Sequence, residues 1–249
     1  MRMRSYCLTD QGLVRQSNQD SILLTHNQNG DLLGAVCDGI GGGVAGDVAS
    51  GLAAATLKEA FQNAPHFEND QCAKQWLNEE ISKANEAIFI QASQSIHQKG
   101  MGTTLVGVLI TDQDAYNFNI GDSRTYGLYG KEFVLLTEDH NLVGDLVKSG
   151  EISEEEAMHH PQRNLLTNAL GIWDRVKIDI NKIKRDFDCL LICSDGLHGY
   201  VSNEKIYRVL TEPIDIKEKA QKLVDLSKAA GGYDNVSVIL IENGDAHEK

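Results

Sequence analysis

The order of the apolar patterns constrains this chain more than any other feature. A short apolar run at 32–37 ends in Asp38-Gly39 and predicts a buried strand that delivers a carboxylate at its tip. Two helical stripes follow with no strand between them. Ala49, Leu52, Ala53, Thr56, Leu57, Ala60 and Phe61 mark the first; Leu77, Ile81, Ala84, Ile88 and Ala92 mark the second, which ends before Lys99-Gly100. The pattern then turns strand-like over 103–111, 115–120, 124–128 and 133–136, with Gly and Asp between the runs. Residues 141–170 read as short helices and loops, including the acidic Glu154-Glu155-Glu156. Residues 189–193 read as a buried strand ending in Ser194-Asp195-Gly196, 216–227 as a late helix and 235–241 as a final strand. Helix after helix and then strand after strand is not the alternation of a doubly wound sheet. It predicts an α+β fold with antiparallel sheets.

No repeat, low-complexity tract or Pro/Gly/Ser linker interrupts the 249 residues, and the three prolines, at 65, 161 and 213, sit at expected element boundaries. One domain over 1–249 is therefore expected, with 41% hydrophobic residues to fill its core. The apolar runs are far shorter than the roughly 20 residues of a membrane span, and the first residues carry no apolar signal core. Five cysteines, an odd number without a Cys-x-x-Cys pair, predict reduced thiols in a cytoplasmic protein, with Cys37 and Cys193 as core thiols. A net charge of −13 argues against nucleic acid and anionic membranes as partners, and a monomer is expected.

Specific acidic positions carry more information. Asp38, Asp122, Asp195 and Asp234 each lie beside glycine or just before a strand, next to an apolar run. Any one of them would be an ordinary turn aspartate. Four at strand ends predict a shared cleft whose like charges repel unless a cation intervenes. Oxygen donors without His or Cys nearby in sequence select a hard ion, Mg²⁺ or Mn²⁺, over zinc. In such a cleft Arg15 offers a planar fork for a phosphate, although a lone arginine is more often a solvated surface residue. Gly41, Gly43 and Gly46 match the dinucleotide fingerprint G-x-G-x-x-G, but the next element is a second helix rather than the parallel strand of a βαβ unit. Asp38 would also repel a pyrophosphate. The glycines are better read as permitting close backbone approach.

Seven ordered stretches resemble one family. They are Arg15 with Asn18-Gln19-Asp20, Val36-Cys37-Asp38-Gly39-Ile40-Gly41-Gly42, Met101-Gly102-Thr103-Thr104, Ile120-Gly121-Asp122-Ser123-Arg124, His160-Pro161-Gln162-Arg163-Asn164, Cys193-Ser194-Asp195-Gly196-Leu197 and Gly231-Gly232-Tyr233-Asp234-Asn235. Their order is similar to that of the metal-dependent Ser/Thr protein phosphatases of type 2C in their compact bacterial form, over about residues 5–241. The resemblance implies a four-layer αββα sandwich, two antiparallel sheets flanked by helix pairs. It implies that Asp38 bridges two metal ions (Mn²⁺ or Mg²⁺), that the Gly39 carbonyl binds one, and that Asp195 and Asp234 complete the pair. Asp122 with Asp195 would hold a weaker third ion, Asp20 would hold metal-bound water one layer out, and Arg15 would bind the substrate phosphate. The implied reaction is hydrolysis of phosphoserine and phosphothreonine in proteins by a metal-activated water, opposing a Ser/Thr kinase, with no Cys or Ser nucleophile. The implied partners are phosphoprotein substrates, the kinase and its targets.

Two departures stand out. Some members carry a His after the Asp-Gly, as a proton donor to the leaving oxygen; here Ile40 and Gly43 stand there. His140, His160 and His198 are candidate substitutes, each more readily read as structural. Gln19 stands where the family often has Glu, a change expected to be tolerated outside the metal ligands. The competing readings are a catalytically weak pseudophosphatase acting as a binding module, disfavoured because all four carboxylates remain, and a nucleotide-binding oxidoreductase. The 141–170 segment resembles the variable flap beside the family's active site and is expected to help choose substrates.

Overall fold

Alternation builds this protein. The computed structural model describes residues 3–41, 45–153, 155–156 and 160–244. One sheet holds, in spatial order, β1 (Arg4–Asp10), β11 (Val236–Glu242), β10 (Cys189–Cys193), β7 (Arg124–Tyr129) and β8 (Glu132–Leu135). The other holds β2 (Asp20–His26), β3 (Leu32–Ile40), β5 (Leu105–Ile110), β6 (Ala115–Ile120) and β9 (Asp179–Ile183), with the two-residue β4 (Gly102–Thr103) pairing the end of β3. Every ladder is antiparallel. Because side chains alternate along a strand, each sheet has one face for helices and one for the other sheet.

On β3, Leu33, Ala35 and Cys37 face α1 (Ala45–Gln62) and α2 (Asp70–Gln94) in one apolar layer. Leu32 and Val36 face inward, meeting Val106, Val108, Leu190, Ile192, Ile239 and Ile241 between the sheets. On the far side, Leu191, Cys193, Val238 and Leu240 pack beneath α5 (Asn203–Thr211) and α6 (Ile216–Ala229). The result is the αββα sandwich with two antiparallel sheets. A short α3 (Leu142–Ser149), capped by the Asn141 side chain on the Gly144 N–H at 2.8 Å, lies within the flap region, and a single turn, α4 (Asp195–His198), follows β10.

Both long helices fall where their stripes predict, and the strands fall close to expectation with three differences. β3 continues through Asp38 to Ile40, because Gly39 and Ile40 pair with Thr103 and Gly102; the carboxylate sits within the strand rather than at its tip. The run at 103–111 divides at Thr104, whose backbone N–H turns to the Asp38 carbonyl at 2.9 Å. β1, β2, β9 and α5 add elements that the apolar pattern does not announce. The five cysteines are free, with Cys37, Cys189 and Cys193 buried and Cys72 exposed. No helix among the described residues is long and apolar enough to cross a membrane. Gly42, Gly43 and Val44 of the glycine loop, and Glu154 of the acidic run, lie outside the described residues.

Candidate metal centre

At one end of the sandwich the inward-facing residues change from aliphatic to oxygen-bearing. Following the inner parity, Ile22 gives way to Asp20, Val36 to Asp38, Val106 to Thr104, Ile192 to Ser194 and Ile239 to Ser237. Asp20 lies directly across from Asp38 in the β2–β3 ladder. A belt of hydroxyls joins the two sheets here. Ser194 Oγ donates to Asp20 Oδ2 at 2.8 Å, Thr9 and Ser237 share a 2.8 Å hydrogen bond, and so do Thr104 and Ser123. The Asp38 N–H donates to Thr104 Oγ1 at 3.0 Å and its carbonyl accepts from Thr103 Oγ1 at 2.9 Å, so β3 is held rigidly where Asp38 projects.

The loops above this belt deliver the other carboxylates. Asp195 opens the α4 turn directly after inward-facing Ser194. Asp234 precedes β11, and the Asn235 N–H donates to its Oδ1 at 2.9 Å. Asn235 is the hub that ties this loop to the N-terminal one: its Oδ1 accepts from the Gln19 N–H at 2.8 Å, and its Nδ2 donates to the Gln11 and Ser17 carbonyls, both at 2.9 Å. Gly12, at φ 78°, is where that N-terminal loop docks; a Cβ there would lie 2.2 Å from the Asp234 carbonyl oxygen. The docking sets Arg15 beside Asp234, Nη2 donating to Oδ2 at 2.7 Å, while half of the arginine side chain stays open to solvent. Asp122 sits in the turn between β6 and β7, its carboxylate hydrogen-bonded by Asn141 at the start of the flap region.

Asp38, Asp195, Asp122, Asp234 and Asp20 therefore share one cleft, and their electrostatics are those of crowded anions. Burial, then Asp20, Asp195, Asp122 and Asp234, pushes Asp38 well above the usual carboxylate range. Asp20 is pushed up to about 7 by burial, with Asp195 and Asp234 adding to the rise and the Ser237 and Ser194 hydroxyls opposing it. Burial and then Asp195 and Asp139 lift Asp122 to about 7. Burial and Asp234 lift Asp195 to about 6, against hydrogen bonding to Asp38 and the charge of Arg15. Asp20 Oδ1 is buried with no hydrogen-bond partner among the described residues. Buried carboxylates this close demand protons or cations, and oxygen donors alone select a hard divalent ion. The residues present fit such an ion. Among the described residues no three carboxylate, imidazole or thiol groups surround a single point.

The Gly39 backbone lies against the start of α1: a Cβ on Gly39 would sit 2.2 Å from the Gly46 carbonyl oxygen. The histidines are structural. His198 donates from Nε2 to the Asp122 carbonyl at 3.0 Å, and burial drops its pKa to about 3, so it stays neutral. His140 bonds Asp179 at 2.9 Å and accepts from the Gly121 N–H at 3.3 Å. His160 Nδ1 accepts from the Gln162 N–H at 3.2 Å within its own turn. The sequence motifs assign no role to Ser194, Ser237, Thr104, Asn141 or Asn235; for Ser194, Ser237 and Thr104 the switch from aliphatic to polar at the strand end becomes a signal only once the strands are aligned.

The protein phosphatase 2C family matches residues 14–229. The chain belongs to that family. It is 37% identical over 235 residues to the serine/threonine phosphatase stp of Listeria welshimeri, covering 94% of this chain and 93% of that protein. It is 36% identical to the protein phosphatase PhpP of Streptococcus pneumoniae, over 94% and 95% of the two chains. The solved structure of the Staphylococcus aureus serine/threonine phosphatase Stp1 superposes with a TM-score of 0.91 at 34% identity, covering 98% of this chain and 96% of that one. The 2C family is metal-dependent, in keeping with the carboxylate cleft, and the oxidoreductase reading does not account for this match.

Proposed function

We propose that this 2C-family phosphatase removes phosphate from phosphoserine and phosphothreonine in proteins, using two Mn²⁺ or Mg²⁺ ions and a weaker third. One observation supports the ligand assignment above all: Asp38 is pinned by Thr103 and Thr104 on β3 directly opposite Asp20, where burial and the charges of Asp20, Asp195, Asp122 and Asp234 all raise it, a place from which it would hold metal ions. Asp195, Asp234 and the Gly39 carbonyl complete the paired site, and Asp122 with Asp195 holds the third ion. The ions, when bound, supply an acidified water and offset charge at phosphorus.

The chain's own residues do the rest. Arg15 is held by Asp234 with half of its side chain in solvent, so its remaining N–H donors can take phosphate oxygens in two places. Tyr200, whose pKa is raised first by burial and then by Asp195 and Asp234, stands beside the carboxylate cleft. Tyr200 and Tyr233, exposed and 5.7 Å apart at their ring centres, form an apolar rim for a polypeptide substrate. Asp20 orients water from one layer behind Asp38. With His198 neutral and hydrogen-bonded to backbone, water rather than a histidine protonates the leaving alkoxide.

The chain acts as one catalytic unit over 1–249, a monomer in the cytoplasm where its free thiols persist, opposing a Ser/Thr kinase. Phosphopeptide hydrolysis is expected to need added Mn²⁺ or Mg²⁺, to stop on chelation and to survive thiol alkylation. Turnover that persists after exhaustive chelation would remove the reading.

A further inference from the structure

Arg15 reaches the cleft on a loop whose neighbouring side chains are apolar and open to solvent. Single exposed apolar residues are ordinary, but a group of them beside a cleft marks a contact surface. Eleven large apolar side chains are exposed among the described residues. Four of them, Leu13, Val14, Tyr200 and Tyr233, stand within five positions of Arg15, Asp195 or Asp234. Their exposures are 64%, 59%, 37% and 55% in that order, so all four are reachable from solvent.

Backbone geometry gathers them around two glycines. The Leu13 and Val14 N–H groups both donate to the Gly232 carbonyl, at 2.8 and 3.2 Å, so the loop that carries Arg15 runs along the loop that carries Asp234. The Leu13 side chain lies on that backbone: a Cβ on Gly232 would come 2.7 Å from Leu13 Cγ. The Tyr233 ring folds back over the preceding glycine, where a Cβ on Gly231 would come 2.1 Å from the ring. Both glycines also have positive φ, 127° and 56°, which the turn needs in order to bring the two loops together. Tyr233 in turn stands 5.7 Å from Tyr200, ring centre to ring centre. Tyr200 feels the charges of Asp195, Asp234 and Arg15, which places it at the edge of the cleft.

What covers this surface follows from what it adjoins, and the inference rests on the phosphatase reading above. A phosphate held by Arg15 fixes the phosphoresidue, and the residues of an extended peptide then follow at about 3.3–3.6 Å each. The apolar side chains begin one position from Arg15 on one loop and one position from Asp234 on the other. The substrate residues that meet them are therefore the nearest neighbours of the phosphoresidue. A partner that merely docked here would lie across Arg15 and obstruct the cleft, whereas a substrate occupies both at once. We propose that Leu13, Val14, Tyr200 and Tyr233 form a specificity shelf, which selects phosphoproteins that carry a large apolar residue one or two positions from the phosphoserine or phosphothreonine.

Phosphothreonine peptides with a single Leu scanned through the two positions on either side are the probes, each paired with a peptide that has Asn at the same place. The pair has equal charge and similar size, so only the apolar contact differs. With the Mn²⁺-loaded full chain, at least one position should show kcat/KM about fivefold or more higher for Leu than for Asn. The gain should come mainly through KM, as expected for apolar contact made equally in the ground and transition states. Leu13→Ser and Tyr233→Ser should each bring that Leu-to-Asn ratio towards one. Ile96→Ser, the same change at an 84%-exposed residue beyond the end of α2, should leave the ratio as it is. A ratio near one at every position, a ratio that survives both Leu13→Ser and Tyr233→Ser, or an equal drop in Ile96→Ser would overturn the shelf and leave the phosphatase reading standing. Failure to hydrolyse any of the peptides would overturn that reading and the shelf with it. If Tyr233→Ser does not fold, Leu13→Ser decides alone, and an unchanged ratio in that variant rejects the proposal.

Discussion

Asp38 is half-buried on β3 directly across from Asp20, with Asp195, Asp122 and Asp234 also raising it, whereas Asp122 is buried in the β6–β7 turn, where Asp195 and Asp139 are the carboxylates that raise it most. Their replacements should therefore differ in kind. Asp38→Ala is expected to lose the paired ions and all turnover at any practical metal concentration. Asp122→Ala is expected to keep the pair while turning over far more slowly. Mn²⁺ calorimetry on both variants tests the ranking, which fails if Asp38→Ala still binds two ions tightly or Asp122→Ala loses both. Arg15 makes a different demand. Arg15→Ala should chiefly raise KM, with a loss of roughly 1.5–3 kcal/mol in kcat/KM for a charge-assisted bond, and Arg15→Lys should restore only part because it lacks the fork. Unchanged kinetics in the alanine variant would return Arg15 to the solvated surface. These aspartates were legible in the sequence because each lies next to glycine or before a strand in an ordered set of motifs. Asn235 and Ser194 were not legible, since a serine or asparagine gains meaning only once the sheets set Ser194 against Asp20 and Asn235 against Gln11, Ser17 and Gln19.

At the scale of elements, the meeting of β3 and α1 decides where the centre stands. Ser50 on α1 donates to the Gln19 carbonyl at 2.6 Å, and small residues at Ala45, Gly46, Ala49 and Ala53 let the helix lie directly on the strand. A Cβ on Gly46 would come 2.8 Å from the Gly39 carbonyl oxygen, so backbone would have to move. Gly46→Ala should then destabilise the fold by about 1–3 kcal/mol, as overpacking does, and weaken Mn²⁺ binding by shifting Gly39. Gly51→Ala, on the same helix, would meet only Ser21 Oγ at 4.0 Å and should stabilise by up to about 1 kcal/mol through helix propensity. Chemical denaturation of the two variants separates close approach from propensity, and equal effects would show that the contact is slack. The sequence pattern revealed α1 and α2 because their stripes are long and regular. It concealed β9, whose inward positions are Asp179 and Asn181 rather than aliphatic, and it ended β3 early because Gly39 breaks the apolar run that β4 then continues by pairing.

Across the whole molecule, the crowded anions make folding and metal binding depend on pH in opposite directions. Asp20 and Asp122 are raised to about 7 and Asp195 to about 6, all above the unfolded value near 4. The folded metal-free protein therefore holds more protons than the unfolded chain between those limits. Its stability must fall as pH rises through the folded pKa values. His198 contributes with the opposite sign, because its pKa is lowered to about 3 while the unfolded imidazole titrates near 6.5, so from pH 6 to 8 it offsets up to about 1 kcal/mol of the loss from the carboxylates. In chelator, the melting temperature should drop by several degrees over that interval, a loss of roughly 1–3 kcal/mol at about 2–4 °C per kcal/mol for a chain of this size. With Mn²⁺ present the trend should reverse, since the ion competes with the same protons and stabilises the folded state by mass action. A metal-free melting temperature that rises from pH 6 to 8, or a Mn²⁺-loaded one that falls, would mean that these carboxylates are not the coupled, ion-binding cluster their placement describes.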